Sequence, residues 1–510
     1  MPAPSEPEKF SIDQMMERLK NPASEPPTEE GELVTRADGT QAIRVRKRKR
    51  RSHQPHKEEL QQQRRSRMIQ ISSAVILVLL VVFTMGIAII YANSAPFREN
   101  LLRMVSQTSG AQVELEQFRV NPTRANAGQL ILTWPEGNAL HELSMRGVGA
   151  TITPVSFLGK SLIGEEITAS EGILSLTVPQ PGKPLRAIAP GDGPMPVRFD
   201  RYAISRLQMR VGDPAQPLIQ MRETEASFQP VNDNGRPLLL LNRGEISIRG
   251  WHKIKLDRSH IEFRGKELDI VGMRLLHEND NRGFLDLSGT VSPYNPDRPS
   301  KLDVRLENFL LTGIAGPDMG ELISGRIHSV TSLDSNQLSF TPDSDSAASL
   351  AVSFSNSPTH AIELGGFPFL TSLARLLEDS WFERPVFEID ATGTLRRNGT
   401  EVAFEDLKFE HKGRMMLRGN LAMGADRRLS GQLEVGIAEA MVRAASNRRI
   451  DAMAGPAKEG FRWLSLTISG NARNPSDNFL ELLDSSKPEP TGADGPPVGA
   501  PSFEDLTTPE

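Results

Sequence analysis

The chain has 510 residues, with 59 Lys and Arg against 64 Asp and Glu, nine His and no Cys. The missing cysteines exclude disulfide frameworks, thiolate metal centres, Fe–S clusters and cysteine nucleophiles. A net charge of −5 argues against a polyanion-binding protein, so no nucleic-acid partner is expected.

The charge is divided along the chain. Residues 1–67 carry 15 basic and 11 acidic residues, residues 92–510 carry 44 and 53, and Met68–Tyr91 carries none. Residues 1–43 are acidic and Pro-rich and read as a disordered tail. One short helix is expected there, over Phe10–Lys20. Ser11 and Gln14 have capping-box spacing, and Ile12, Met15, Met16 and Leu19 share a face. That helix is a candidate docking motif for a cytoplasmic partner. Next comes a basic juxtamembrane cluster that includes Arg46, Lys47, Arg48, Lys49, Arg50, Arg51, Arg64, Arg65 and Arg67. The 24-residue stretch MIQISSAVILVLLVVFTMGIAIIY would be ~36 Å long as a helix, enough to cross a ~30 Å hydrocarbon core. Positive flanking charge places residues 1–67 in the cytoplasm and residues 92–510 on the other side, with the basic cluster serving topology and anionic-lipid contact.

Beyond the span, PFRENLLRMVSQTSG reads as a short amphipathic helix ending at Gly110. The period then changes from 3.6 to 2. QVELEQFRV, GQLILTW, GILSLTV, AISRLQMRV, SHIEFRGKELDI, GFLDLSGTVS, EVAFEDLKFE and WLSLTISGNA alternate apolar with polar residues between Gly, Asn, Asp and Pro punctuation. Such alternation implies antiparallel strands with one dry face and one wet face. About eighteen strands at ~4.8 Å spacing would make a sheet ~85 Å long. FPFLTSLARLLEDSWF and IAEAMVRAASNRRIDAMAG read as two helical interruptions. Residues 484–510 read as a disordered, acidic, Pro-rich tail. The expected class is therefore mainly β: one N-terminal transmembrane helix, then an elongated, curved, groove-like antiparallel sheet with a few short capping helices.

No catalytic constellation emerges, and the chain is not expected to be an enzyme or to carry a metal or cofactor. His53 and His56 lack carboxylates placed to complete a metal site, and Glu165, Glu166 and Asp200 read as solvated sheet residues. Asn398–Thr400 matches a glycosylation acceptor, but Asn-Gly reads better as a hairpin turn. Trp134, Trp251, Trp381 and Trp463 read as core or rim anchors. What remains is the sheet's aliphatic face. Candidate lining residues for a lipid groove are Leu174, Leu176, Ile246, Ile248, Ile261, Phe263, Leu285, Leu287, Leu464 and Leu466.

Three blocks carry a family resemblance. They are LLRMVSQTSGAQVELEQFRVNP, GNALHELSMRGVGATITPVSFLGKSLIGEEITASEGILSLTV, and VFEIDATGTLRRNGTEVAFEDLKFEHKGRMMLRGNLAM continuing to WLSLTISGNARNPSDNF. In order and pattern the chain resembles the AsmA-like family of AsmA- and TamB-type inner-membrane-anchored proteins. The cytoplasmic tail is long for that family, and residues 180–345 match only as generic strands. The resemblance implies a bacterial inner-membrane protein of domains 1–67 (cytoplasmic), 68–91 (span), 92–483 (periplasmic β-rich) and 484–510 (tail). It further implies binding or transfer of phospholipid along the β-groove, in outer-membrane assembly or lipid homeostasis, with membrane lipids and envelope proteins as partners. The alternative is a non-enzymatic envelope scaffold recruiting partners through its tail and its periplasmic domain.

Overall fold

The computed structural model describes residues 32–35, 37–44, 57–153, 162–179, 185–186, 197–294, 299–330, 336–341, 348–357, 360–446 and 449–485. The expected helix over Phe10–Lys20, the basic residues 46–51 and the tail 486–510 lie outside these. Chain contacts define two units, residues 1–81 and 82–510.

In the first unit, β1 (Glu32–Thr35) and β2 (Gln41–Arg44) form an antiparallel hairpin, within a stretch whose composition suggested no order. Its turn holds Gly39 at φ 84°, and Asp38 accepts hydrogen bonds from the Thr40 hydroxyl and amide. Helix α1 (Lys57–Ala92) is 36 residues long. It opens with a charged, polar third that contains Arg64, Arg65 and Arg67, so these basic residues are helical. Its remainder, Ile71–Ala92, is 22 residues of mean hydropathy 2.9 that are almost wholly exposed.

In the second unit, α2 (Ala95–Ser109) stops where expected, because Gly110 adopts φ 67° and its N–H bonds back to Ser106. A long run of strands follows: β3 (Gln112–Glu116), β4 (Arg119–Val120), β5 (Arg124–Thr133), β6 (Leu140–Ile152), β7 (Leu162–Leu176), β8 (Val197–Gly212), β9 (Pro217–Gln229), β10 (Leu238–Asn242), β11 (Glu245–Ile248), β12 (Ile254–Arg264), β13 (Glu267–His277), β14 (Asp280–Val291), β15 (Ser300–Glu307) and β16 (Phe309–Leu310). Two single turns, α3 (Thr312–Ala315) and α4 (Pro317–Gly320), precede β17 (Ile323–Ser329), β18 (Gln337–Phe340), β19 (Ser349–Asn356) and β20 (Ile362–Leu364). Then come α5 (Pro368–Leu377), β21 (Val386–Phe387), β22 (Thr392–Asn398), β23 (Glu401–His411), β24 (Met415–Met423), β25 (Leu429–Ala438), α6 (Glu439–Ala444), α7 (Arg449–Met453), β26 (Phe461–Asn471), β27 (Asn474–Asp477) and α8 (Phe479–Ser485).

These strands pair largely with their sequence neighbours into one sheet. The ladder runs from β3 and β4 through β5 to β9, then β10 and β11 end to end, β12 to β15, β18, β19, and β22 to β27. β10 and β11 are collinear pieces of one strand interrupted at Arg243 and Gly244, and each lies between β9 and β12. Among the described residues no register joins β27 to β3 or β4. A side branch carries β16 and β20 on β17, and β21 on β20.

Three expectations are corrected. The sheet is mixed, since β7 and β8 run parallel over their whole length. Residues 177–196 connect them, a crossover length that parallel pairing requires. The helical segment after β25 starts later and is two short helices, α6 and α7: Ile437 and Ala438 still belong to the strand, and Ala445, extended at φ −64° and ψ 135°, ends α6. The hairpin expected at Asn398-Gly399 is present but displaced by one residue: Asn398 pairs with Glu401, so Gly399, at φ 58°, and Thr400 form the β22–β23 turn.

The middle of the sheet is locked by a buried ion pair. Arg326 on β17 meets Asp280 on β14 at 2.6 Å, and Arg326 also donates to the Asn308 carbonyl at 3.0 Å. Hydrogen bonding from Arg326 holds the Asp280 carboxyl well below the ordinary aspartate range.

Candidate functional site

The register sets apolar residues opposite one another, strand after strand, on one face. Val113 and Leu115 of β3 stand opposite Leu132 and Leu130 of β5, which face Leu143 and Met145 of β6. Leu143 is followed across the sheet by Leu174, Met209, Met221, Ile246 and Ile254. A parallel row runs through Leu140, Leu176, Val211, Ile219 and Ile248. The face continues through Leu256, Leu275, Leu285 and Leu306. Beyond the middle it passes through Val352, Leu395, Phe404 and Leu421, and through Phe409, Leu417, Val435 and Leu464.

Bulges keep this face apolar where the sequence slips out of step. Glu223 sits at φ 55° in β9, and the register shifts there, so that Met221, Thr224, Ala226 and Phe228 share a side. In β12 the shift between Leu256 and Arg258 returns Ser259, Ile261 and Phe263 to the face of Ile254 and Leu256.

Burial divides the face into two parts. From β14 onward it is filled by its own side chains and by α3 to α8. Phe309, Phe354, Phe369, Phe382, Phe387, Phe404, Phe409 and Phe479 are all fully buried there. The face expected to be aliphatic is not uniformly so: only 5% of the chain is aromatic, and the fully buried aromatic residues lie mostly in this filled half. Over β8 to β13 the face is mixed, with Leu207, Met221, Ile254 and Leu275 buried in the same core and Met209, Ile219 and Ile261 half-buried against it. On β3, β5 and β6 the opposing residues Leu115, Leu130, Leu132, Leu143 and Met145 are only half-buried and belong to no core cluster. The ten expected groove residues divide likewise. Leu174, Leu176, Ile248, Ile261 and Phe263 are half-buried, whereas Ile246, Leu285, Leu287, Leu464 and Leu466 are buried.

Aromatic contacts step across the open part. Phe199 meets Tyr202 at 6.3 Å, Tyr202 meets Phe228 at 6.1 Å, and Phe228 meets Phe263 at 5.8 Å between ring centroids. Burial pushes the Tyr202 hydroxyl pKa up.

A cation interrupts the inner face of the filled part. Arg397 occupies the row position between Leu350 and Val402 and is 4% exposed. No carboxylate pairs with it among the described residues. It donates to the Gly399 carbonyl at 2.9 Å, to the Gly250 carbonyl at 2.6 Å and to the Ile314 carbonyl, and it stacks 5.0 Å from the Trp251 ring. Burial lowers its pKa to about 10; burial, and then Arg397 itself, lowers that of neighbouring His252. Seven strand steps separate β11 from β22, ~34 Å on a flat sheet at ~4.8 Å per step. A side chain of β22 that touches the β11–β12 turn therefore requires the sheet to curl strongly toward its apolar face.

The other candidates resolve plainly. Glu166 pairs with Arg201 at 3.5 Å on the outer face, and Glu165 and Asp200 are exposed. Trp134 donates to the Ser109 carbonyl at the end of α2, and Trp381 packs edge-on against Phe382. Trp463 lies under Arg418 at 4.7 Å. Among the described residues no group of three or more His, Asp or Glu could hold a metal ion. A concavity of about 760 Å³ lies mainly on the opposite, wet face of β18, β19 and β22 to β24, among Ser339, Ala351, Ser353, Thr394 and Ala403.

Sequence reasoning missed Met209 and Met221, which carry the row from β8 to β11. The β9 bulge hides Met221 from an alternation count, although Glu-Thr-Glu after an alternating run is a detectable break. The fold defines a class: a mainly β protein with one large mixed sheet, preceded by a single helix long and apolar enough to cross a membrane, compatible with a single-pass membrane protein. Compared with family models, characterised proteins and solved structures, the chain has no match.

Proposed function

We propose that the chain is an AsmA-like, membrane-anchored phospholipid carrier of a bacterial envelope, with its N-terminus cytoplasmic and its β-rich unit in the periplasm. The supporting observation is the unbroken cross-strand row from Val113 to Ile254, half-buried from β3 to β8 and buried only at its far end, Met221, Ile246 and Ile254. An acyl chain leaving a bilayer loses about 0.8 kcal/mol per exposed methylene. A row of Leu, Ile, Val and Met side chains that already lacks protein cover would restore most of that, with no catalytic group required. The filled half from β14 onward serves as the rigid scaffold of the open half. In this reading the protein serves outer-membrane assembly or lipid homeostasis by moving lipid away from the anchoring membrane.

The test is lipid carriage by the full chain. Protein purified in mild detergent and extracted for mass spectrometry is expected to hold phospholipid that resists delipidating washes. A Leu143→Arg, Leu174→Arg double variant, blocking adjacent positions of the row, is expected to lose it. Equal lipid in both proteins would refute the proposal.

A further inference from the structure

The end of α1 is fixed rigidly to one end of the sheet. Ala88 and Ala92 are buried with Phe97, Val120, Ile152, Leu162 and Phe199 in one cluster. Asn93 clamps β4: its Nδ2 donates to the Val120 carbonyl and its Oδ1 accepts the Val120 N–H, both at 2.8 Å. Tyr91, 42% exposed, packs edge-on against Phe97 at 5.6 Å.

The apolar part of α1 has little length to spare. Its 22 residues extend ~33 Å, against a hydrocarbon core of ~30 Å. A bilayer covering it ends close to Ala92, yet Ala88, one turn earlier, is already buried in the cluster that α2 and the sheet share. The sheet end packed on that turn therefore lies at the level of the lipid headgroups.

That end has the composition of an interface. Arg119 and Arg124 flank the β4–β5 turn, Arg198 is the second residue of β8, and Arg98 lies in the first turn of α2. All four are exposed, and none forms an ion pair among the described residues. Ile163, opposite Arg198 across the parallel β7–β8 ladder, is 42% exposed. Among the described residues the exposed acidic residues nearby are Glu99, beside Arg98; Glu165 and Asp200, each two residues farther along its strand than Ile163 and Arg198; and Asp233 in the β9–β10 turn.

We propose that this sheet end is a membrane-contacting rim, with Ile163 immersed at the headgroup boundary and Arg98, Arg119, Arg124 and Arg198 binding the phosphates of an anionic bilayer. The rim fixes the orientation of the β-rich unit against the membrane. The inference rests on the reading of α1 as a span, and it is independent of lipid carriage.

The absence of cysteine makes the test direct. Full-length chains carrying Val78→Cys, Ile163→Cys or Ala215→Cys are labelled with an environment-sensitive fluorophore. They are reconstituted in phosphatidylcholine vesicles, with or without phosphatidylglycerol, that carry a lipid-bound quencher. Val78 reports the span, and Ala215, exposed in the β8–β9 turn at the opposite end of the strands, is the solvent control. Quenching is expected at 78 in both vesicles, at 163 most strongly with phosphatidylglycerol, and not at 215. Quenching at 78 with 163 behaving like 215 overturns the rim and leaves the span intact; no quenching at 78 overturns the span and the rim with it. Charge reversal at Arg119, Arg124 and Arg198, singly and together, is expected to cause a graded loss of the phosphatidylglycerol-dependent part at 163. Retention of that part in variants with unchanged quenching at 78 refutes the role of the arginines.

Discussion

Replacing Leu174 by arginine separates the proposed lipid function from folding, because the residue lies in the open row but not at its buried end. Leu174 is half-buried between Leu143 and Met209. An arginine there can lay its methylenes along the row and carry its guanidinium to solvent, so the folding cost should stay near ~1 kcal/mol, in the ordinary range for single substitutions. The cost to a bound acyl chain is larger. One strand step of ~4.8 Å covers about four methylenes, worth roughly 3 kcal/mol at ~0.8 kcal/mol each, or about two orders of magnitude in affinity. Leu285, 2% exposed in the filled part, is the contrasting site. An arginine there is an unpaired buried charge and should cost more than ~4 kcal/mol, enough to disrupt folding. Thermal unfolding followed by circular dichroism and extracted phospholipid measured by mass spectrometry distinguish the two. The expected result is a Leu174→Arg protein with near-parental melting and little lipid, and a Leu285→Arg protein that fails to fold. Parental lipid content in Leu174→Arg, or its unfolding alongside Leu285→Arg, would refute the reasoning.

Three further outcomes follow from the buried polar groups. Arg326→Met should leave the Asp280 carboxylate with only the exposed Arg282, 3.2 Å from its Oδ1, and cost up to about 3 kcal/mol, whereas an Arg326→Met, Asp280→Leu double variant should recover much of it; denaturant titration reads both. Because the folded-state pKa of Asp280 is depressed, its contribution is fully present above the unfolded aspartate value of about 4 and is lost as pH falls through the folded value. Acid titration of the parent should thus show a stability loss below about pH 4 that the double variant lacks. Arg397→Met leaves three carbonyls, those of Gly250, Ile314 and Gly399, without their donor; at about 1–3 kcal/mol per orphaned acceptor, a loss of more than ~3 kcal/mol is expected in the same assay, with Arg397→Lys intermediate.

Much of the architecture was legible because a period-2 pattern is a direct consequence of strand geometry. Segments such as SKLDVRLE and SLAVSFS emerge as strands with every second residue buried. The helix stop at Gly110 and the apolar run into Ala92 follow from the same local rules. The parallel β7–β8 pair was not legible, since direction is decided by the connection, residues 177–196, whose composition does not state where it returns. Which half of the apolar face is covered was equally hidden. Leu174 and Leu464 stand in nearly identical alternation, and only the positions of α3 to α8 leave one half-exposed and bury the other. Nothing in the local sequence distinguishes Arg397 from Arg396 beside it. Its inward position depends on the register with Leu350, a contact across 47 residues of chain.

The two parts of the sheet imply different sources of stability, and that difference bears on the proposed function. A shared core runs from Leu207 to Phe479, continuous in the filled part and reaching β8 and β9 only at Leu207, Met221 and Ala226. The first strands have no such core beyond the small cluster around Phe97 and Phe199, so their order comes from backbone ladders, and here the ladders are long: β6 to β9 run 13, 15, 16 and 13 residues. A sheet held by ladders can leave one face half-covered without unfolding, which a core-dependent sandwich cannot. Any apolar ligand that covers Leu130, Leu143 and Leu174 then adds burial to the part with least of it. By mass action it must stabilise that part specifically, by about 2.7 kcal/mol at a ligand concentration 100 times its Kd. Amide exchange slowed over β5 to β9 and unchanged over β22 to β26 on lipid loading is the signature of an open face that the chain was built to leave to a guest.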